Sequence, residues 1–402
     1  MFKIIHNTYD RIMAISPILP IYSPIDINFS HGEGAYLYDT KGKRYIDFQS
    51  GIAVNSLGHC HPRLVSTLKK QSEKIWHLSN INTIPAAIEF AKKLIANSFA
   101  DTTFFTNSGT EAVECGLKIA RSYQNGKGNH HRYKIITFKG AFHGRSFAAC
   151  SGNDPEKFSD LLRPYVEWFE NVEPNIESVR NVIDNNIGVI LIEPIQGEGG
   201  VNVMDHNFLK NLRELCNEHD ILLFFDCVQC GAGRTGKLFA YEHFDVEPDI
   251  CALAKGIGGG FPLGACLATE TAAKYMGVGL HGSTYGGNPL ATSIGNAVLD
   301  ELLKDGFLKS VEDKGKHLKD KLQQLADKHE IIQEIRGLGL MLGVKTNIDN
   351  KEFSRELCYR GLLTVGTTAQ QVVRILPPLI ITKEQIDEGI EILDTYLNEI
   401  AN

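Results

Sequence analysis

The run Ile221-Leu-Leu-Phe-Phe-Asp226-Cys-Val-Gln229 sets five bulky apolar residues directly before a carboxylate. A strand that is apolar at every position, rather than at alternate ones, has both faces covered, as in a parallel sheet packed between helices. Four more segments read the same way: Thr102 to Thr106, Tyr133 to Phe138, Gly188 to Ile192 and Ile250 to Ala254. Helical patterns separate them, so the stretch from about Asp101 to Ala268 is expected to form an α/β domain around a mainly parallel central sheet.

Beyond about Gly295 the pattern changes to long amphipathic helices, with Leu318, Leu322 and Leu325 on one face. Thr382 and Gln385 form a capping-box pair that opens a last helix, whose core side carries Ile386, Ile390, Leu393 and Leu397. Strand-like pieces, Gly339 to Val344 and Val372 to Leu376, lie between these helices. The expected organisation is an N-terminal segment, 1–60, packing with the small domain, a large α/β domain, 61–294, and a smaller C-terminal α+β domain, 295–402.

Composition narrows the partners. With 41 basic residues against 48 acidic and no basic block, neither nucleic acid nor a membrane surface is indicated, which leaves small molecules. No apolar run reaches the roughly 18 residues of a membrane span. The start, Met1-Phe-Lys-Ile-Ile-His-Asn, lacks a signal-peptide core, so a cytoplasmic protein is expected. Nine cysteines, an odd number set in apolar contexts such as Cys216, Cys251 and Cys266, suit reduced, packed thiols better than a disulfide framework.

In open α/β sheets, ligands bind outside the carboxyl ends of the strands. Here those ends read Asn107-Ser-Gly-Thr110, Lys139-Gly-Ala-Phe-His-Gly-Arg145, Glu193-Pro-Ile-Gln-Gly-Glu198, Asp226-Cys-Val-Gln229 and Lys255. Ser108-Gly-Thr-Glu111 opens a helix with capping-box spacing, and its free N–H groups would suit a phosphate. Phe142 with His143 offers a flat apolar face near that phosphate cradle. The Asp226 carboxylate, emerging from a buried strand, needs a cationic or hydrogen-bonded partner such as a protonated ring nitrogen. Lys255 ends the run Asp249-Ile-Cys-Ala-Leu-Ala, where burial favours the neutral amine, a nucleophile or base. Each element has an ordinary reading: a capped helix, a core aromatic, a lysine reaching solvent. Together they describe a pyridoxal 5′-phosphate site.

Three other patterns compete. Gly231-Ala-Gly-Arg-Thr-Gly236 matches the dinucleotide pattern of a nicotinamide-dependent oxidoreductase, but no long helix follows it and no strand ends in an acid about 20 residues on. Cys227-Val-Gln-Cys230 has redox or zinc half-site spacing without a second pair. His59-Cys-His61, flanked by Gly58 and Pro62, reads as a turn, and no metal is expected.

Asn107-Ser-Gly-Thr-Glu-Ala112, Phe142-His-Gly-Arg145, Glu193-Pro-Ile-Gln-Gly-Glu-Gly-Gly200, Gly233-Arg-Thr-Gly236, Ala254-Lys-Gly256 and Ser283-Thr-Tyr-Gly-Gly-Asn-Pro289 together resemble the class III, or ω-amino-acid, pyridoxal-phosphate aminotransferases. The resemblance runs from Gly34-Ala-Tyr-Leu-Tyr-Asp39 to the final helix and implies the fold type I architecture of such transferases. Gly51-Ile-Ala-Val-Asn-Ser-Leu-Gly-His59 is most similar to the branch that acts on acetylornithine, whose close relatives also take succinylated diamines.

That resemblance implies roles. Lys255 would hold the cofactor covalently and later move a proton between the substrate carbon bearing the amine and C4′. Asp226 would pair with the pyridinium nitrogen, Gln229 would reach the phenolic oxygen, and Phe142 and Val228 would sandwich the ring. Gly109 and Thr110, beside Ser108, would hold the phosphate with Thr284 of a neighbouring subunit, placing the active site at a homodimer interface. Arg145, helped by Tyr22, would bind the distal α-carboxylate of acetylornithine. Arg374 would bind that of glutamate or 2-oxoglutarate, and Glu198 would pair with Arg374 while the diamine is bound. Ser283 would contact substrate and Glu193 would support the site.

The implied reaction is ping-pong: N2-acetyl-L-ornithine and 2-oxoglutarate give N-acetyl-L-glutamate 5-semialdehyde and L-glutamate, a step of arginine biosynthesis. Succinylornithine, succinyldiaminopimelate, ornithine and 4-aminobutyrate are the alternative donors. Two departures stand out: Cys227 replaces the usual acid after the aspartate, and Ala112-Val-Glu-Cys115 replaces Ala-Asn-Glu-Ala. Ile52, where ornithine enzymes usually have tyrosine, leans against free ornithine.

Overall fold

The structure, a computed structural model, describes residues 18–157, 159–368 and 371–401. At its centre lies a seven-stranded sheet in the order Thr102–Thr106, Gly264–Ala268, Ile250–Leu253, Leu222–Asp226, Ile187–Ile192, Lys134–Phe138, Phe169–Val172. All neighbours pair in parallel except around Gly264–Ala268, which is antiparallel to both strands beside it. The five apolar runs read from the sequence are all strands here. Two further strands went unread: Gly264-Ala-Cys-Leu-Ala268 is made of small residues without β-branching, and Phe169-Glu-Asn-Val172 is a short, partly polar edge.

Continuous apolarity in Leu222–Asp226 serves two cores. Leu222 and Phe224 pack with Ala112, Val113 and Ile119 of the helix Gly109–Gly126. Leu223 and Phe225 point the other way, into the larger cluster that holds Leu209 and Leu212 of the helix His206–His219. The first helix lies so close to the sheet that a Cβ on Gly116 would sit 2.3 Å from the Phe224 ring. Gly116→Ala should therefore destabilise the fold by about 1–2 kcal/mol, overpacking outweighing the roughly 1 kcal/mol of helix propensity that alanine adds. Urea unfolding checks this, and a raised midpoint would refute it.

Residues before the large sheet are tied to the C-terminal part. Phe29–Glu33, Tyr36–Asp39 and Arg44–Asp47 form an antiparallel ribbon, and Leu362–Leu363 adds to Arg44–Asp47 in parallel. A second, wholly antiparallel sheet runs Ile332–Leu338, Met341–Thr346, Val372–Ile375, Val365–Gly366. The helices Phe307–Lys328 and Lys383–Ala401 pack together nearby. The expected capping box forms: Thr382 N–H donates to Gln385 Oε1 (3.0 Å) and Gln385 N–H to Thr382 Oγ1 (3.2 Å).

The boundary expected at 294/295 requires correction, because it falls inside the helix Pro289–Leu302. That helix packs on Pro62–Ser72 and Pro85–Ala96, and a Cβ on Gly295 would lie 2.7 Å from the Phe90 ring. Glycine there permits close helix packing; it does not mark a linker. Among the described residues no helix is long and apolar enough to cross a membrane.

Candidate active site

The carboxyl ends of the central strands surround a cavity of about 410 Å³. Ser108 to Thr110 form one end of it. Ser108 Oγ accepts the Glu111 N–H at 3.4 Å, capping the helix Gly109–Gly126. The reciprocal half of the expected box is displaced by one residue: the Glu111 carboxylate takes the backbone N–H of Asn107 (2.6 Å) and its side-chain amide (3.0 Å). The N–H groups of Gly109 and Thr110, first in the helix, have no acceptor within it and border the cavity, a ready anion cradle. Thr110 Oγ1 is itself fixed by the N–H groups of Arg145 and Ser146, both at 3.2 Å. Gly144, with φ 136°, makes that approach possible, since a Cβ there would lie 2.3 Å from Thr110 Oγ1.

Asp226 ends its strand fully buried. Its Oδ1 accepts the Val228 N–H (3.0 Å), and its Oδ2 lies 2.8 Å from Nδ1 of His143, which is equally buried. From the sequence, His143 stands with Phe142 on a flat face near the cradle, with no role toward Asp226. It follows Phe142 at a strand end, so the placement rule that found Phe142 covered it, but residue type alone did not show which atom it would face. Glu193 accepts the N–H groups of Phe142 (2.9 Å) and Gly197 (3.1 Å). Burial, and then the charge of Asp226, push its carboxyl up to about 7.

Lys255 emerges from the adjacent strand, where Ala252 stands opposite Asp226. Its φ of 48° is left-handed, a strained backbone for a residue with a Cβ. Loss of water around the amine, followed by the nearby charge of Arg374, lowers its pKa. Arg374 is itself only 1% exposed. Its Nη1 donates to Glu198 Oε1 (2.5 Å) and Gln229 Oε1 (3.1 Å), and its Nη2 to the Gly366 carbonyl (3.1 Å). With Oε1 of Gln229 engaged by Arg374, the amide N–H₂ is the end left for the cavity. On the open side, the exposed Arg145 guanidinium lies 5.1 Å from the centre of the Phe142 ring. A run of left-handed residues, Ser50 to Ala53, leads into Val54 on the cavity wall.

Three expected residues lie elsewhere in this chain. Ser283 and Thr284 line a neighbouring cavity of about 390 Å³ that shares Asn107 and Thr110 with the first, and Asn107 Nδ2 donates to Ser283 Oγ at 3.3 Å. Tyr22, expected beside Arg145, is 81% exposed in this single chain and lines neither cavity, and the chain from 18 to 28 around it holds no strand or helix.

The competing patterns also resolve. In Gly231-Ala-Gly-Arg-Thr-Gly236, Arg234 is buried and donates to the carbonyls of Leu340 and Pro377, and only a short 3₁₀ turn, Ala240–His243, follows. The segment pins two other loops and cradles nothing. Cys227 and Cys230 are free and buried, and the contact with Cys227 together with burial raises the Cys230 thiol well above its usual range. His59 Nε2 pairs with Asp47 Oδ2 at 2.8 Å within a turn. No cluster of three or more potential metal ligands occurs among the described residues.

The model of the class III aminotransferases matches residues 20–397. The chain belongs to that family. It is 48% identical over 379 residues to the acetylornithine aminotransferase of Agrobacterium fabrum, covering 94% of this chain and 95% of that one. Its fold superposes on the acetylornithine aminotransferase of Elizabethkingia anophelis with a TM-score of 0.84 at 31% identity, covering 97% of each chain. It also matches the ornithine aminotransferase of Toxoplasma gondii, in a structure with partial occupancy of PLP at the active site, with a TM-score of 0.90, 31% identity and coverage of 97% and 94%.

The class III aminotransferase is thus an enzyme whose cofactor is pyridoxal 5′-phosphate, and the cavity fits that group. An anion cradle, an aromatic face at Phe142, a buried carboxylate and an amine with a lowered pKa match in turn its phosphate, ring, ring nitrogen and aldehyde.

Proposed function

We propose that this aminotransferase moves the δ-amino group of N2-acetyl-L-ornithine to 2-oxoglutarate, giving N-acetyl-L-glutamate 5-semialdehyde and L-glutamate, as in arginine biosynthesis. The observation that carries the reading is the pairing of Arg374 with Glu198 and Gln229, behind the open guanidinium of Arg145. A site with one masked and one exposed cation can take two substrates in turn. Glu198 neutralises Arg374 while Arg145 holds the acylated amino acid by its far carboxylate, and releases Arg374 when a dicarboxylate arrives. The name borne by the Agrobacterium relative supports the same donor.

When bound, pyridoxal 5′-phosphate supplies a ring that accepts electrons from the carbon carrying the amine. The chain does the rest. Gly109 and Thr110 hold the phosphate through their N–H groups, and Thr284 of a second copy completes that end. Asp226, braced by His143, would keep a proton on the ring nitrogen. Gln229 would donate to the phenolic oxygen, Phe142 and Val228 would flank the ring, and Glu193 keeps the Phe142 loop in place. Lys255, its amine at a lowered pKa, would anchor the cofactor and serve as the base that moves the proton. Tyr22 and Ser283 close the substrate side once two copies meet. Exposed Ile81, Val278, Leu280 and Tyr285 near the second cavity support that dimer, which sedimentation at micromolar concentration would show. The nine free thiols suit a reducing, cytoplasmic setting.

A donor panel with 2-oxoglutarate tests the substrate: acetylornithine should exceed succinylornithine, succinyldiaminopimelate, ornithine and 4-aminobutyrate in kcat/KM. A clear preference for any of the others reassigns the donor. Arg145→Ala should lower kcat/KM for acetylornithine by about 30- to 100-fold, the loss of a charge-assisted carboxylate contact. Turnover of an amine without an α-carboxylate should fall far less, and equal losses would remove Arg145 from this role.

A further inference from the structure

On the face of the sheet covered by the helix Gly109–Gly126, away from the reacting atoms, lies another cavity, of about 260 Å³. Its wall carries Lys118, Arg121, Arg132 and Lys134. Lys134 pairs with Glu170 at 2.5 Å, while the other three have no carboxylate partner among the described residues. Lys118 Nζ lies 3.1 Å from His281 Nδ1, and Arg132 Nη1 donates to the carbonyls of His219 and Asp220. Arg121 is the centre of the arrangement. Its guanidinium lies 4.5 Å from the centre of the Trp168 ring and 5.7 Å from that of Tyr133, and its Nη2 donates to the Tyr133 carbonyl at 3.0 Å. Loss of water around it lowers its pKa, so the cation is held at an energetic disadvantage that an anion would relieve. Tyr133 and Trp168 are left 38% and 42% exposed, and the floor is aliphatic.

We propose that this cavity is a binding site for a small aromatic carboxylate, its ring on Trp168 and Tyr133 and its carboxylate on Arg121 and Arg132. The volume accommodates one ring and its carboxylate. Planar stacking together with bidentate recognition of a carboxylate is what guanidinium offers and ammonium does not.

The site has a route to the cofactor cradle. Glu114 lines both this cavity and the one containing Thr110, and it accepts a hydrogen bond from Ser146 Oγ at 2.5 Å. Ser146 Oγ lies 3.0 Å from Thr110 Oγ1. An anion that draws Lys118 or Arg121 inward changes the field at Glu114, and through Ser146 the setting of Thr110. Occupancy is therefore expected to shift the affinity for the cofactor about threefold to tenfold.

The chain has two tryptophans, so Trp76→Phe leaves Trp168 as the only reporter. In that holoenzyme, benzoate and 4-hydroxybenzoate should quench indole fluorescence saturably, while acetate and benzylamine at equal concentration should not. Arg121→Met should weaken the response at least tenfold with its circular dichroism unchanged. Should that variant unfold, Arg132→Gln titrated by calorimetry serves in its place. No saturable quenching, quenching by acetate equal to that by benzoate, or an unchanged response in folded Arg121→Met would each overturn the site. None of these readouts depends on which amine the enzyme uses.

Discussion

Lys255→Ala should leave a folded protein that still retains pyridoxal 5′-phosphate noncovalently while turnover falls by about ten-thousandfold or more. The size follows from losing two functions at once, a covalent anchor and the base that moves the proton. Its neighbours imply survival of the fold: the anion cradle and Asp226 are held by Thr110, Val228 and His143, none of which needs the lysine. Alanine also keeps a Cβ on a left-handed backbone, so the strain at φ 48° remains as it was. Borohydride reduction followed by mass spectrometry supplies a readout independent of rate: the wild-type chain should gain the mass of the reduced cofactor and the variant should not. A variant that keeps a tenth of the activity would mean that another group is the base.

The second large effect is expected at Asp226. Asp226→Asn preserves shape and the Val228 contact but removes the charge that holds a proton on the ring nitrogen, and kcat should fall at least about a hundredfold, roughly 3 kcal/mol or more of transition-state stabilisation. It also leaves His143 facing an amide. His143 Nε2 is buried without a hydrogen-bond partner among the described residues, so the ring's one hydrogen-bonded contact there is with Asp226. His143→Gln should accordingly produce a milder loss, about tenfold, with a displaced pH–rate profile, because it acts through Asp226 and not on the substrate. If Asp226→Asn retained activity within threefold, ring protonation would have to be assigned elsewhere.

Much of this site was readable because strand ends can be located without knowing how strands are ordered. Each continuous apolar run stops where polar chemistry begins, and at Asp226 and Lys255 the residue type at that point was too expensive to bury without a purpose. The pairing of His143 with Asp226 and the path from Glu114 through Ser146 to Thr110 were not readable, since they are contacts between segments whose relative height depends on loop geometry. The Ser108 capping box shows the same limit: its spacing was right, yet the Glu111 carboxylate bonds Asn107, a difference of one residue that only the turn decides. Tyr22 owes its expected role to resemblance alone, on a segment that a single chain leaves exposed.

By itself the sequence determined five strands of the sheet, their two covered faces and the cofactor chemistry at their ends, because apolar continuity and side-chain type are local properties that burial must respect; the family came from the resemblance of its motifs. The tertiary structure alone decided that Gly264–Ala268 runs antiparallel, that Gly295 lies within a helix, that Arg374 is shared between Glu198 and Gln229, and that Arg121 lies over Trp168 in a cavity that Lys118 and Arg132 also line. Those outcomes depend on distances between residues far apart in the chain, and such distances exist only once the cores have closed.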